Sequence, residues 1–471
     1  MRPLVEPIVI GFALIFSAQF AVAQPCQPGW DTTIGSPGIS SGYVGALREW
    51  NDGGGDDLYV GGSFDNIIGV GGTRLLARWN QETNAWSSVG GGMGTGFTNG
   101  FVTSIQPYFD GQSELLVVGG FFADAGGTAD TKSIAAWDGS AWRAIGASFP
   151  SNSANSVWSM HVWNGTGNSR LYIGGGFTVI SGQNGVGVAA WDGEAWQPLA
   201  TTITGFSPTV FALASFDDGS GEKLYAAGRF DTLNGVNARL IARWNSTTST
   251  WSAVGAGLVP NTSLADISAL AVFDDGSGSA LYAGGYDFRP NGGTNASVAK
   301  WNGTNWTRVG QPIGGRVTTL RVFDDGDGAK LYAGGTAQPG IQYFSRLEGN
   351  SWVTVAGGVG GSGVPPSQFP SVFAMREWGN ALYVGGNFTL AGDESAIGLA
   401  AYAGCPTLLI GDLNCDGLVN NFDITPFVLA LSDAAAYEAE FPDCDRAAAD
   451  VNGDGLINNF DIDAFVALIG G

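Results

Sequence analysis

Apolar and polar residues alternate along most of this chain in short runs, and the runs return in a fixed order. The clearest unit lies between Val210 and Gly257. Phe211 to Phe216 alternates as a half-buried strand, Asp217 to Gly221 has hairpin-turn composition, and Leu224 to Gly228 reads as the partner strand. Ile241 to Trp244 predicts a third strand, Asn245 to Ser249 a turn, and Trp251 to Gly255 a fourth. Close copies of the second strand begin at Leu58, Leu116, Leu171, Leu224, Leu281, Leu331 and Leu382, at intervals of 50 to 58 residues. Repetition at this period marks units that cannot bury an apolar face alone and must stack on copies of themselves.

Tryptophan falls at matched places in the units, as Trp79 and Trp86, Trp137 and Trp142, Trp191 and Trp196, Trp244 and Trp251, and Trp301 and Trp306. The sixth unit keeps Trp352, with Leu347 in the other place. Large flat rings at repeated positions are expected to fill the wedges between neighbouring units. The seventh unit follows the pattern as far as Leu399 to Tyr402 and lacks a fourth strand, whereas Gly29 to Gly35 matches the fourth strand of the second unit. The predicted fold class is therefore mainly β, a seven-bladed β-propeller over 24–404 whose last blade is completed by the N-terminal strand, which removes exposed sheet edges. The units resemble kelch-like, galactose-oxidase-type propeller repeats of secreted bacterial proteins in their L-Y-x-G-G-x-F, A-x-W-[DN]-G and W-x-x-x-G runs. That resemblance implies a fold and no particular activity.

A different pattern occupies the C-terminus. In the stretch from Asp412 to Asp423, oxygen-bearing side chains stand at loop positions 1, 3, 5, 9 and 12 as Asp412, Asn414, Asp416, Asn420 and Asp423, with Gly417 at the sharp turn. The second loop repeats this with Asp450, Asn452, Asp454, Asn458 and Asp461 around Gly455, and Leu418 and Leu456 are placed to offer backbone carbonyls. Hard oxygen donors in this number suit calcium rather than zinc or copper, so two calcium ions are expected. Each loop is followed by an amphipathic spacing, Ile424, Phe427, Val428, Leu431 and Ile462, Phe465, Val466, Ile469, which predicts two short helices burying these faces against one another.

The doubled loop, ending in Asp at position 12, resembles the type I dockerin over Gly411 to Gly471. The resemblance implies calcium-dependent folding of an α-helical module, 405–471, and docking to a cohesin-like module of an extracellular partner, commonly in polysaccharide degradation. Positions 10 and 11 depart from the pattern, being Asn421-Phe422 and Asn459-Phe460. A different partner, or a purely intramolecular role, follows from that departure as an open alternative.

Charge and composition narrow the function. With 20 Lys and Arg against 42 Asp and Glu, the net charge is −22, which argues against nucleic acid as a partner. Arg2, the apolar run Ile8 to Phe20 and Ala21-Val22-Ala23 have the form of a secretory leader over 1–23, and no later stretch is long enough to span a membrane. A secreted or cell-surface protein is expected. Export favours paired cysteines. Closure of the repeats brings Cys26 beside Cys405, which leaves Cys415 to pair with Cys444 in the C-terminal module.

His161 is the only histidine, so a copper-radical oxidase or a histidine-based zinc site is excluded. Many carboxylates belong to the turns at Asp217-Asp218, Asp274-Asp275 and Asp324-Asp325, where they read as turn formers, with calcium ligation as the sharper alternative. No catalytic residue is assigned. The leading reading is a non-enzymatic recognition or scaffold protein, its propeller presenting a surface for a polysaccharide or protein ligand. A carbohydrate-active enzyme and a calcium-stabilised structural cap stand beside it. Loops of irregular length, Ser148 to Asn155 and Gly357 to Pro370, are the expected variable surface.

Overall fold

The computed structural model describes residues 28–94, 100–146, 149–150, 155–165, 169–336, 344–362, 369–404, 409–415, 419–441 and 444–469. The leader-like segment 1–23, Cys26, Cys405, Asp416, Gly417, Leu418 and parts of the two irregular loops lie outside the described residues. Two compact units result, Pro28–Thr407 and Leu408–Gly471.

The large unit is mainly β. Each repeat forms its own antiparallel sheet, joined in simple sequence order. The fourth, for example, runs Thr209–Asp217, Glu222–Arg229, Ile241–Asn245 and Thr250–Ala253. The seventh comprises Ser371–Trp378, Ala381–Asn387 and Leu399–Ala403, and its outer strand is the N-terminal Gly29–Asp31, with Trp30 opposite Tyr402. Short two-residue strands, absent from the sequence reading, clasp consecutive sheets. Val359–Gly360, beyond the sixth sheet, pairs with Leu390–Ala391 inside the seventh.

The first strands of the sheets touch one another in order. Tyr43–Asn51 packs on Phe101–Phe109, that strand on Val157–Trp163, and the succession continues through Ser371–Trp378, which returns to Tyr43–Asn51. A fully buried β-branched residue opens each contact: Val44, Val102, Val157, Val210, Ile267, Val317 and Val372. Apolar layers between consecutive sheets hold the unit together, and no single central core does.

The tryptophan pairs lie across neighbouring strands, with Trp79 facing Trp86 at 5.1 Å and Trp191 facing Trp196 at 5.3 Å between ring centroids. The second indole of a pair also reaches the preceding sheet. Trp196 Nε1 donates to the Ile145 carbonyl at 2.9 Å, Trp251 to Leu199 at 2.8 Å and Trp306 to Val254 at 3.0 Å. Burial of a large ring is thus combined with satisfaction of its one donor.

The C-terminal unit holds three helices, α1 (Ile424–Ser432), α2 (Ala434–Glu440) and α3 (Asp461–Ile469). Phe427 and Phe465 stack at 3.9 Å and form its centre with Leu413, Ala430 and Tyr437. The expectation that both apolar faces would be buried needs correction. Ile424, Val428, Ile462 and Val466 are exposed, because three helices this short can enclose only a narrow stripe. Helix α2 was not legible as an amphipathic repeat; Asp433 caps it by accepting from Ala436 N, and its Tyr437 Oη donates to the Leu413 carbonyl at 2.9 Å. Cys415 and Cys444 are disulfide-bonded, with 5.8 Å between their Cα atoms. No helix among the described residues is long and apolar enough to cross a membrane.

Candidate functional site

Every first strand carries a β-bulge at its start. Pairing with the second strand slips by one residue between Val44 and Ala46, and at the equivalent place in the other six sheets. The unpaired residue is turned out of the ladder. These seven residues, Gly45, Thr103, Trp158, Phe211, Ser268, Thr318 and Phe373, all line one open cavity of about 790 Å³ bordered mainly by the first strands. A volume of this size admits a ligand of a few sugar rings or a peptide end.

Aromatic rings dominate one side of the wall. Tyr43 lies 4.9 Å from Phe373 and Trp158 lies 5.3 Å from Phe211, with Phe101 behind the wall at 5.1 Å from Trp158. Burial pushes the Tyr43 hydroxyl up to about 12, so it stays a neutral donor. On the other side Arg229 and Arg316 line the cavity and both bind Asp266, a carboxylate with no exposed surface. Arg229 Nη2 meets Asp266 Oδ2 at 3.1 Å, Arg316 Nη1 pairs with the same oxygen, and Ser268 Oγ donates to Oδ1 at 3.0 Å. Arg229 also lies over the Phe211 ring, and Arg316 over Tyr286. No carboxylate lies on the described wall, so a pair for acid and base work is not assembled there. The sequence reading missed this constellation. Its signal was present where the first strand begins, Asp266 opening its strand and Arg316 standing just before its own, in places that other sheets give to Tyr43, Phe101 or Thr209.

The hairpin carboxylates are structural. Asp217 Oδ1 accepts from Gly219 and Gly221, both at 2.9 Å, while Asp218 accepts from Tyr225 Oη at 2.9 Å and pairs with Arg243. The arrangement recurs with Asp275, Tyr282 and Lys300, and with Asp325, Tyr332 and Arg346. Burial works against ionisation of Asp218 and Asp275, but these hydrogen bonds and cations outweigh it and hold both carboxyls below their ordinary range. His161 sits on the first strand of the third sheet, opposite Tyr172, and burial lowers its proton affinity.

In the C-terminal unit the second loop is fully described. Asp450 Oδ1 accepts from Asp454 N at 3.1 Å and Oδ2 from Gly455 N at 2.8 Å, and Gly455 adopts φ +83° at the turn. Asn452 Oδ1 accepts from Asp454 N, Asp454 Oδ1 from Leu456 N, and the Leu456 carbonyl from Asn458 Nδ2. Asp461, fully buried, accepts from Asn452 N at 3.1 Å and Asn458 N at 2.9 Å. Asp423 repeats this in the first loop, accepting from Leu413 N, Asn414 N and Asn420 N, and Asp412 is buried nearby in sequence. Asn420 Oδ1 accepts from Phe422 N.

The donor set fits a hard divalent cation in chemical type. Each aspartate oxygen has two lone pairs, and the backbone bonds leave acceptor capacity on every carboxylate. The buried carboxylates of Asp423 and Asp461, which accept from backbone amides, also form an environment that a cation would stabilise. Among the described residues, no three His, Cys, Asp or Glu side chains converge on one point. Within these loops, at position 11 of each, stand Phe422 and Phe460, 77% and 79% exposed.

No family model matches the chain, and no curated protein does. Solved structures with a measure of likeness include the computationally designed Ika8 protein, 13% identical, covering 78% of this chain and 97% of its own, with a TM-score of 0.42. A chain of the mitotic checkpoint complex is 14% identical over 86% of this chain and 98% of its own, with a TM-score of 0.38. Raptor of Chaetomium thermophilum is 12% identical over 81% of this chain and 30% of its own, with a TM-score of 0.42. Likeness at this level carries no argument about function.

Proposed function

We propose that this chain is an exported recognition protein. Its large unit is a seven-bladed β-propeller that takes a ligand in the cavity at its axis. Its C-terminal unit is a dockerin-like module that binds two calcium ions and docks to a cohesin-like partner, in the setting of extracellular polysaccharide breakdown. The observation that carries the docking part is the doubled loop: a fully buried aspartate closes each one, and an outward phenylalanine stands one residue before it. Exposed rings of this size at equivalent places are anchors that an interface would bury. The leader-like N-terminus and the Cys415 to Cys444 disulfide support export. Recognition is favoured over glycoside hydrolysis by the cavity wall, which offers rings and guanidinium groups without a carboxylate pair.

The test is calorimetric titration of the purified protein with calcium, beside the double variant Asp412→Ala, Asp450→Ala. Binding of a purified cohesin module follows, with and without chelator, and in Phe422→Ser, Phe460→Ser. Two ions in the parent, none in the aspartate variant and chelator-sensitive docking lost in the phenylalanine variant are expected. Absence of calcium binding in the parent removes the metal assignment, calcium binding without docking leaves the module a structural cap, and turnover of a glycan by the large unit overturns the non-enzymatic reading.

A further inference from the structure

Three residues beyond the bulge, the first strands carry a second level of side chains. In register, this rung faces the tyrosine of the Leu-Tyr motif, as Arg48 opposite Tyr59, Arg321 opposite Tyr332 and Arg376 opposite Tyr383. The three arginines come from the first, sixth and seventh sheets, whose first strands are neighbours in the ring. His161 and Gln106 occupy the same rung on the third and second sheets. In a chain with only 20 Lys and Arg, three at one level are a concentration of positive charge that the overall −22 does not anticipate.

Among the described residues one carboxylate, Glu49, lies within ion-pairing distance of these arginines. Glu49 forms a two-pronged pair with Arg376 and lies 4.0 Å from Arg48. Arg321 makes no hydrogen bond or ion pair among the described residues, though Glu49 and then exposed Glu377 attract it at longer range. Arg48 Nε and His161 Nε2 are buried and accept or donate no hydrogen bond among the described residues, Arg48 Nε having only the long ion pair to Glu49. Burial, and then the charge of Arg376, push Arg48 down to about 10 against the weaker pull of Glu49 and Glu114, and Arg321 shifts the same way. Like charges that are partly desolvated repel one another, and an anion placed among them lowers that cost.

We propose that this rung binds an oxyanion, the sulfate or carboxylate group of an acidic ligand. Guanidinium forks match such groups in a planar, two-bond geometry that ammonium groups do not offer. The aromatic cavity one layer away would seat a ring attached to the anionic group, so a sulfated or uronic saccharide and a free inorganic oxyanion share the chemistry. The inference rests on the large unit being the ligand-binding part, and it is independent of calcium and of docking.

The test is titration of the full chain with sodium sulfate, with a sulfated disaccharide and with the matching neutral disaccharide, all at one ionic strength set with chloride. It is repeated for Arg321→Gln and for Arg74→Gln, an arginine outside the ring on the surface. Sulfate-dependent binding that weakens about tenfold in Arg321→Gln and is unchanged in Arg74→Gln is expected, because one charge-assisted contact is lost. Without anion, Arg321→Gln unfolds at the parent temperature or above it, since a repulsive charge is removed. Tighter binding of the sulfated sugar than of sulfate assigns the site to a saccharide, and equal binding assigns it to the free anion. Binding of neither anion above chloride, or equal binding by the parent and Arg321→Gln, overturns the proposal. A loss of stability in Arg321→Gln with unchanged anion binding makes the rung a structural prop. Failure of the calcium or cohesin experiment leaves these outcomes readable, because they report on the ring alone.

Discussion

The two glycines of the repeated motif face different neighbours. A Cβ on Gly61 would come within 2.4 Å of Val102 in the next sheet, and the same contact recurs between Gly119 and Val157 and between Gly284 and Val317. The second glycine faces its own sheet, where a Cβ on Gly62 would lie 2.1 Å from the Tyr43 carbonyl at the bulge. The first glycine therefore sets the spacing between sheets, and the second lets the bulged strand approach. The fourth sheet shows the difference: it tolerates Ala227 in the first place and keeps Gly228 in the second. Gly62→Ala is expected to cost about 3 kcal/mol or more by overpacking against backbone. Gly71→Ala, with no atom near its added Cβ, is expected to stay within about 0.5 kcal/mol. Urea midpoints of the two variants at constant m-value check this, and equal midpoints would contradict it.

At the scale of the element, the bulge converts seven similar strands into one site. Alternation along a strand predicts which residues face the core, but a bulge adds a residue without changing composition, so no periodicity announces it. Asp266 shows what the bulged ends do between elements. It begins the first strand of the fifth sheet, takes Arg229 from the end of a fourth-sheet strand, and takes Arg316 just before the first strand of the sixth. Removing it leaves two partly buried guanidinium groups without their carboxylate, a change expected to cost about 3 to 5 kcal/mol. Thermal unfolding of Asp266→Ala, read beside Asp217→Ala in an exposed turn, checks this; a smaller loss at Asp266 than at Asp217 would show that the pair binds nothing together. In the C-terminal unit the helix spacing was legible at Phe427 and Phe465 and overread at Ile424, Val428, Ile462 and Val466, since spacing names a face and not its cover.

For the large unit taken whole, closure is the decisive event. Val44 meets Gly385, so the seventh sheet packs on the first with the same contact that joins the others. Gly29–Asp31 completes the seventh sheet, and Trp30 lies 5.0 Å from Phe344, lies 5.6 Å from Tyr402 and donates to the Ala356 carbonyl at 2.9 Å. Trp30 thus does for the seam what Trp196, Trp251 and Trp306 do within the chain. Trp30→Ala is expected to cost about 3 kcal/mol, toward the low end for a tryptophan because the ring is half-buried. Hydrogen exchange checks where the cost falls. Faster exchange in Leu399–Ala403 than in Ile241–Asn245 is expected, and uniform acceleration would show that the seam opens only with the whole unit.

Sequence alone determined the repeated four-strand unit, its count, the match of the N-terminal segment to the missing strand and the oxygen-rich loops with their paired helices. These are local properties: alternation, turn chemistry and ligand spacing are written within a few consecutive residues and repeated, so each copy corroborates the others. Only the tertiary structure decided what meets at the axis. Tyr43, Trp158, Arg229, Arg316, Phe373 and the arginines Arg48, Arg321 and Arg376 are spread over five repeats, and each alone reads as an ordinary strand residue. Their chemistry arises from the ring that brings seven strand ends to one place, a long-range fact that no single repeat contains.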